Sequence, residues 1–146
     1  MDVSPDPASF IARLVAATNA HELDTLVACF AEGYVNETPA HPDRGFTGPE
    51  QVRRNWAQLF AGIPDLNARI LSTAVDGKIV WSEWEMSGTR RDGSAHLMRG
   101  VIIFTVAEGQ TTSARFYLEP VDASSGDADA AIARATLTTS LPPDLS

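Results

Sequence analysis

Cysteine is nearly absent from this chain. Cys29 is the only one in 146 residues, so no internal disulfide can form and a disulfide-framed scaffold is excluded. Basic side chains are also scarce: eleven Lys and Arg stand against nineteen Asp and Glu, a formal net charge of −8. A surface of that sign repels phosphate backbones and anionic lipid, so neither a nucleic-acid nor a membrane partner is expected. No apolar run approaches the roughly 20 residues that span a bilayer. The segment MDVSPDPASF has neither the basic start nor the apolar stretch of a secretory signal. With a single thiol, a cytoplasmic location is the expectation. No His, Cys and carboxylate set has metal-ligand spacing, and no glycine-rich loop precedes a helix as a phosphate cradle. Neither a metal nor a cofactor is expected. What remains is ordinary: 44% hydrophobic and 21% charged residues, the composition of one globular domain.

Asp6-Pro7 is a helix start, with a capping side chain before a proline at the first helical position. Phe10, Ile11, Leu14 and Val15 follow at helical spacing, and Asn19-Ala20 breaks the pattern. A second helix is expected from about His21, with Leu23, Leu26, Val27 and Phe30 on one stripe and Glu32-Gly33 at its end. Tyr34-Val35-Asn36 reads as a very short strand. Residues 37–47 hold two prolines and a glycine and read as loop. Thr47-Gly48-Pro49-Glu50 announces a third helix carrying Val52, Trp56, Leu59 and Phe60 on one face, with Thr47 or Gly48 as its cap. From Leu66 to Val121 the chain reads as strands. Asp76-Gly77, Arg91-Asp92-Gly93 and Glu108-Gly109 are three turns joining long β-rich runs, which describes an antiparallel meander. Helices first and a sheet after make an α+β domain. Residues 1–121 form this domain. Residues 122–146, with no aromatic side chain, read as a flexible tail with room for a short helix near Asp127 to Ala135.

The order of two or three helices, Tyr34-Val35-Asn36, a proline-rich loop, Gly48-Pro49-Glu50 and a long meander resembles the nuclear-transport-factor-2-like superfamily in its SnoaL-like branch, over about residues 8–121. The resemblance implies a cone: a strongly bent antiparallel sheet wrapped around a helix, open at one end to an apolar cavity. It implies a small hydrophobic ligand and a homodimer. The superfamily includes ketosteroid isomerases, limonene-type epoxide hydrolases, polyketide cyclases, dehydratases and non-catalytic scaffolds. Two readings follow: a cofactor-free isomerase, cyclase or dehydratase acting on a polyketide-like or polycyclic substrate, or a binding or accessory protein without chemistry. In limonene-type hydrolases a tyrosine and an asparagine spaced like Tyr34 and Asn36 help hold the attacking water. The positions of that family's Arg-x-Asp and last-strand aspartate fall on Trp84, Met86 and Phe116, so its carboxylates are lacking. Ketosteroid isomerases place their carboxylate base near Glu37, with His41 four residues on. The resemblance thus implies Glu37 or His41 as base, with Tyr34 and Asn36 holding an oxygen.

Strand alternation divides the meander into two faces. Grouping by polarity puts Trp84, Met86, Met98, Phe116 and Leu118 inside, with Tyr34, Asn36, Trp56 and Phe60 completing the cavity wall. Glu83, Glu85, Arg99, Arg115 and Glu119 then lie outside with Trp81, Val101, Ile103 and Tyr117. Their charges can pair across strands, and their apolar share suits a dimer surface. The reverse assignment, a Glu–Arg cluster inside, would follow from a bulge that shifts one strand by a residue. His96 reads as a plain edge position and Cys29 as a packed thiol.

Overall fold

The computed structural model describes residues 6–137. Helix α1 spans Pro7–Asn19. It starts where expected because the Asp6 carboxylate accepts the Ala8 N–H. Helix α2 is one short turn, Leu23–Val27, and strand β1 runs over Phe30–Glu37. Phe30 is therefore the start of a strand rather than the end of a helix. The Thr111 N–H bonds to the Cys29 carbonyl and Phe30 pairs with Thr111, so a long-range partner takes the backbone that helical spacing had claimed. Glu32-Gly33 lies within that strand, where its register shifts between Phe30 and Val35. A single 3-10 turn, Pro42–Arg44, and a two-residue strand β2, Phe46–Thr47, follow. Helix α3, Pro49–Gly62, takes Gly48 as its cap with a φ of 95°, and Thr47 makes no capping bond.

Strands β3 (Asn67–Asp76), β4 (Ile79–Thr89), β5 (Ala95–Ala107) and β6 (Gln110–Pro120) form the meander. The sheet order is β2-β1-β6-β5-β4-β3. Its pairs are antiparallel except β1 with β6, which are parallel. No tight turn joins those two strands: α3 and four strands intervene, and a long crossover admits parallel pairing. The sheet is curled and unclosed, and α1 lies against β3, β4 and β5 on its concave side. Helix α4, Ala128–Thr136, falls within the C-terminal stretch, capped by the Asp127 carboxylate on the Ala130 N–H. Residues 138–146 lie outside the described residues. Among those described, no helix is long and apolar enough to cross a membrane.

The concave face carries the core. Phe10 of α1 meets Phe104 of β5 edge-on, with ring centroids 5.1 Å apart. Trp84 and Phe116 flank Phe104 at 6.5 and 6.4 Å. Asn19, at the end of α1, ties the helix to an edge strand: its amide donates to the Ala68 carbonyl and accepts the Ala68 N–H. Cys29 is buried, and burial pushes its thiol pKa up, as suits a packed side chain. On the convex face Glu85 holds both Arg69 and Arg99 at 2.8 Å. Those hydrogen bonds keep its carboxyl below the usual range. Trp81 and Tyr117 are exposed there, so the apolar-inside assignment describes the sheet.

Gly100 is where two strands come closest. It lies between Trp84 and Leu118 in register, with a φ of 153°. A Cβ there would run into the Tyr117 carbonyl and backbone of β6, and neither can move without breaking the ladder. Gly100→Ala is expected to lower unfolding free energy by more than about 2 kcal/mol. Urea unfolding followed by far-UV circular dichroism measures it.

Candidate functional site

The sequence places alternating side chains of β1 on opposite faces, and Tyr34 and Asn36 turn inward while Val35 and Glu37 turn out. Tyr34 is fully buried, edge-on to Phe30 at 4.8 Å. Its hydroxyl donates to Asn36 Oδ1 at 2.7 Å. Burial raises the Tyr34 pKa far above the ordinary phenol value, so the hydroxyl keeps its proton. With Oδ1 occupied, the Asn36 amide N–H groups are left to point elsewhere, and no buried side-chain polar atom of the described residues lacks a partner. The amide therefore faces open space, and that space is a pocket.

The pocket holds about 310 Å³ between α3 and the open end of the concave sheet. Its apolar wall comes from Trp56 and Leu59 of α3, Met86 of β4, Met98 of β5, and Phe116 and Leu118 of β6. Asn36, Thr38, Arg44, Asn55 and His96 are the polar side chains that join them around Tyr34. Each of these can donate a hydrogen bond. None is a carboxylate. Asn55 Oδ1 already accepts from Gln51 at 2.8 Å, which leaves its N–H groups free. His96 Nδ1 lies 3.4 Å from an Arg90 guanidinium nitrogen. A guanidinium only donates, so Nδ1 accepts and the neutral ring carries its proton on Nε2. Burial first, and then the Arg90 charge, lower the His96 pKa below its ordinary 6.5. The ring is neutral at pH 7 and offers an N–H.

Seven of the nine side chains expected to line a cavity sit on this wall: Tyr34, Asn36, Trp56, Met86, Met98, Phe116 and Leu118. The other two do not. Trp84 lies deeper, 1% exposed, with its indole N–H on Ser82 Oγ and its ring beside Phe104. Phe60 is stacked instead on His21, in the turn between α1 and α2, with centroids 4.4 Å apart. Strand and helix periodicity set a face, and neither sets how far along the curled sheet a residue stands. Glu37 is exposed on the convex side, opposite Arg115 in register. His41 pairs with Glu119 at 2.8 Å outside the wall. Neither proposed base reaches the pocket, because the period of two that turns Asn36 inward turns its neighbour out. Conversely, His96 and Arg44 belong to the wall. His96 shares strand parity with Met98, a signal present in the sequence; Arg44 lies on an irregular turn and carries none. Among the described residues, no three His, Cys, Asp or Glu side chains converge as a metal site would require.

A sequence profile described as the SnoaL-like domain matches residues 11–114. No curated protein matches the chain significantly. Among solved structures, IdmH, a candidate polyketide cyclase from Streptomyces antibioticus, superposes with a TM-score of 0.68 at 22% identity, over 79% of this chain and 93% of its own. An LEH-like epoxide hydrolase of M. tuberculosis has a TM-score of 0.68 at 16% identity, over 80% of this chain and 84% of its own. A protein with a ketosteroid-isomerase-like fold from Catenulispora acidiphila, in complex with trimethylamine, reaches 0.63 at 20% identity, over 79% and 87%. At these identities the likeness is one of fold.

The depth of Trp84 makes it a stability residue. Trp84→Ala is expected to cost about 3–5 kcal/mol by opening a core cavity. Chemical unfolding of the variant reads that loss directly.

Proposed function

The chain belongs to the SnoaL-like domain family, and from that premise we propose that it binds a small, mostly apolar molecule of polyketide-like or polycyclic kind through acceptor oxygens. What supports this is the wall itself: apolar sides, a ring of hydrogen-bond donors and no carboxylate. An apolar body gains from burial, at roughly 25 cal/mol per Å² removed from water. A carbonyl oxygen gains from the Asn36 amide, which its bond to Tyr34 holds in place. The same donors make poor hosts for amines, whose N–H groups would meet no acceptor charge.

Isomerase, cyclase or dehydratase chemistry at this pocket needs a proton acceptor. Tyr34 is locked in its acid form, and Glu37 and His41 face away. His96 is the one wall group whose ordinary pKa lies near neutrality, and the nitrogen able to accept a proton is already taken by Arg90. The binding reading therefore has more behind it than the catalytic one. On the convex face, Trp81 and Tyr117 lie among alternating carboxylates and guanidiniums. That mixture is self-complementary across a two-fold axis, which supports a homodimer.

Calorimetry with 2-naphthamide, which couples an apolar body to one carbonyl, is expected to detect binding that Asn36→Leu weakens about tenfold. No heat with the native protein would refute the reading. The catalytic alternative is separated by 5-nitrobenzisoxazole. A base removes its C3 proton as the N–O bond breaks, releasing the coloured 2-cyano-4-nitrophenolate. No rate above buffer is expected. A rate lost in His96→Gln, rising with pH through a midpoint below 6.5 and level above it, would establish His96 as a base instead. Light scattering at micromolar concentration should give the mass of two chains, and Trp81→Glu should shift it toward one.

A further inference from the structure

Arg44 is the arginine of the pocket wall. Arg13, Arg91 and Arg134 donate to backbone carbonyls, and Arg53, Arg69 and Arg99 hold carboxylates. Arg44 lines the pocket and donates to none of the described residues. This chain carries eight more acidic than basic residues, yet the pocket wall holds no acid and does hold this cation. Charge has been sorted: carboxylates lie off the wall, and Arg44 stands at its solvent-exposed rim.

The position of Arg44 is set by its surroundings. Its own N–H bonds to the His41 carbonyl at 2.9 Å, closing the turn that begins at Pro42. The His41 ring grips Glu119 of β6 at 2.8 Å, so the turn is fastened to the sheet. Beyond Arg44 the chain presses on β1: a Cβ on Gly45 would sit 3.1 Å from the Asn36 carbonyl, and Phe46 pairs with Asn36. The turn that carries Arg44 is thereby held against the stretch of β1 that carries Asn36, and both residues line the pocket. His41, implied as a base by resemblance, positions this turn.

We infer that the pocket selects a carboxylate-bearing ligand, with Arg44 taking the carboxylate and the apolar wall taking the rest. This rests on the binding reading above and names its ligand class. A guanidinium matches a carboxylate with two parallel N–H···O bonds, which neither an ester nor an amide can equal. Arg44 is solvent-exposed as a residue, so the selectivity is modest: about fivefold, the scale of roughly 1 kcal/mol for a partly solvated pair.

The test compares 2-naphthoate with 2-naphthamide, which share an apolar body and a carbonyl and differ in charge. Titration calorimetry of the full chain at 50 mM salt should show the carboxylate bound about fivefold more tightly, with the ratio shrinking at 500 mM salt. In Arg44→Gln the ratio should fall to about one, and Arg44→Lys should restore part of it. Arg53→Gln, which removes an exposed cation paired with Asp24, should leave the ratio as it was. Equal binding of both probes to the native protein, or an unchanged ratio in Arg44→Gln, would overturn the inference while leaving the binding reading intact. If neither probe binds, both fall together.

Discussion

Phe104 is the contact on which the rest of the molecule depends. It lies in β5, the strand with long partners on both sides, and its ring meets Phe10, Trp84 and Phe116. Those three come from α1, β4 and β6. One ring thus joins the first helix to three adjacent strands, and the sheet must curl to bring them together. Burying such aromatic surface is worth several kcal/mol in a chain whose net stability is itself of that order. The curl then has a consequence at its open end. There no residue of α1 lines the pocket, and α3 supplies one wall with Val52, Asn55, Trp56 and Leu59. Phe116, on one side of Phe104, is at once a core contact and a wall of the pocket.

The chemistry of the pocket follows from how strand parity sorts polar groups. Tyr34 and Asn36 are two residues apart and turn inward together, and their mutual hydrogen bond satisfies the buried hydroxyl while leaving the amide to a ligand. Glu37, one residue on, is on the other face. The same rule separates Met86 from Glu85 and Met98 from Arg99. The carboxylates of β4, Glu83 and Glu85, therefore end on the convex side, where Glu85 joins two arginines. A burial cost of several kcal/mol stands against any of them turning inward without a cation. The wall keeps donors because Asn36, Asn55 and a neutral His96 can be desolvated at far less cost than a charge. Arg44 avoids that cost by standing at the solvent-exposed rim.

Much of this was legible beforehand, and the reason is local. Asp6-Pro7, Gly48-Pro49 and the three glycine turns mark element ends by backbone chemistry that needs no distant partner. Alternation of apolar and polar residues in β4, β5 and β6 marks their inner faces. The SnoaL-like assignment rests on that order of elements, and it agrees with the match over residues 11–114. The register shifts in β1 between Phe30 and Val35, in β3 between Ile70 and Ser72 and at Thr105 to Val106, but β4 pairs with β5 without a break from Ile79 to Thr89, so parity holds where Met86 and Met98 meet the pocket.

The sequence by itself determined the element order, the α+β class and which face of each long strand is apolar, because turn residues and a period of two act over a few bonds. Tertiary structure alone decided depth and direction. Phe30 left its helix because Thr111 offered a strand partner. Trp84 became core and Met86 became wall, although both share one face, because Trp84 stands beside Phe104 and Met86 stands where the sheet opens into the pocket. Glu37 and His41 faced away, and Arg44 came to the rim of the pocket, on a turn pinned by His41 to Glu119 and by Gly45 against Asn36. Each of these outcomes depends on residues tens of positions apart meeting in space. A local period carries no information about such meetings.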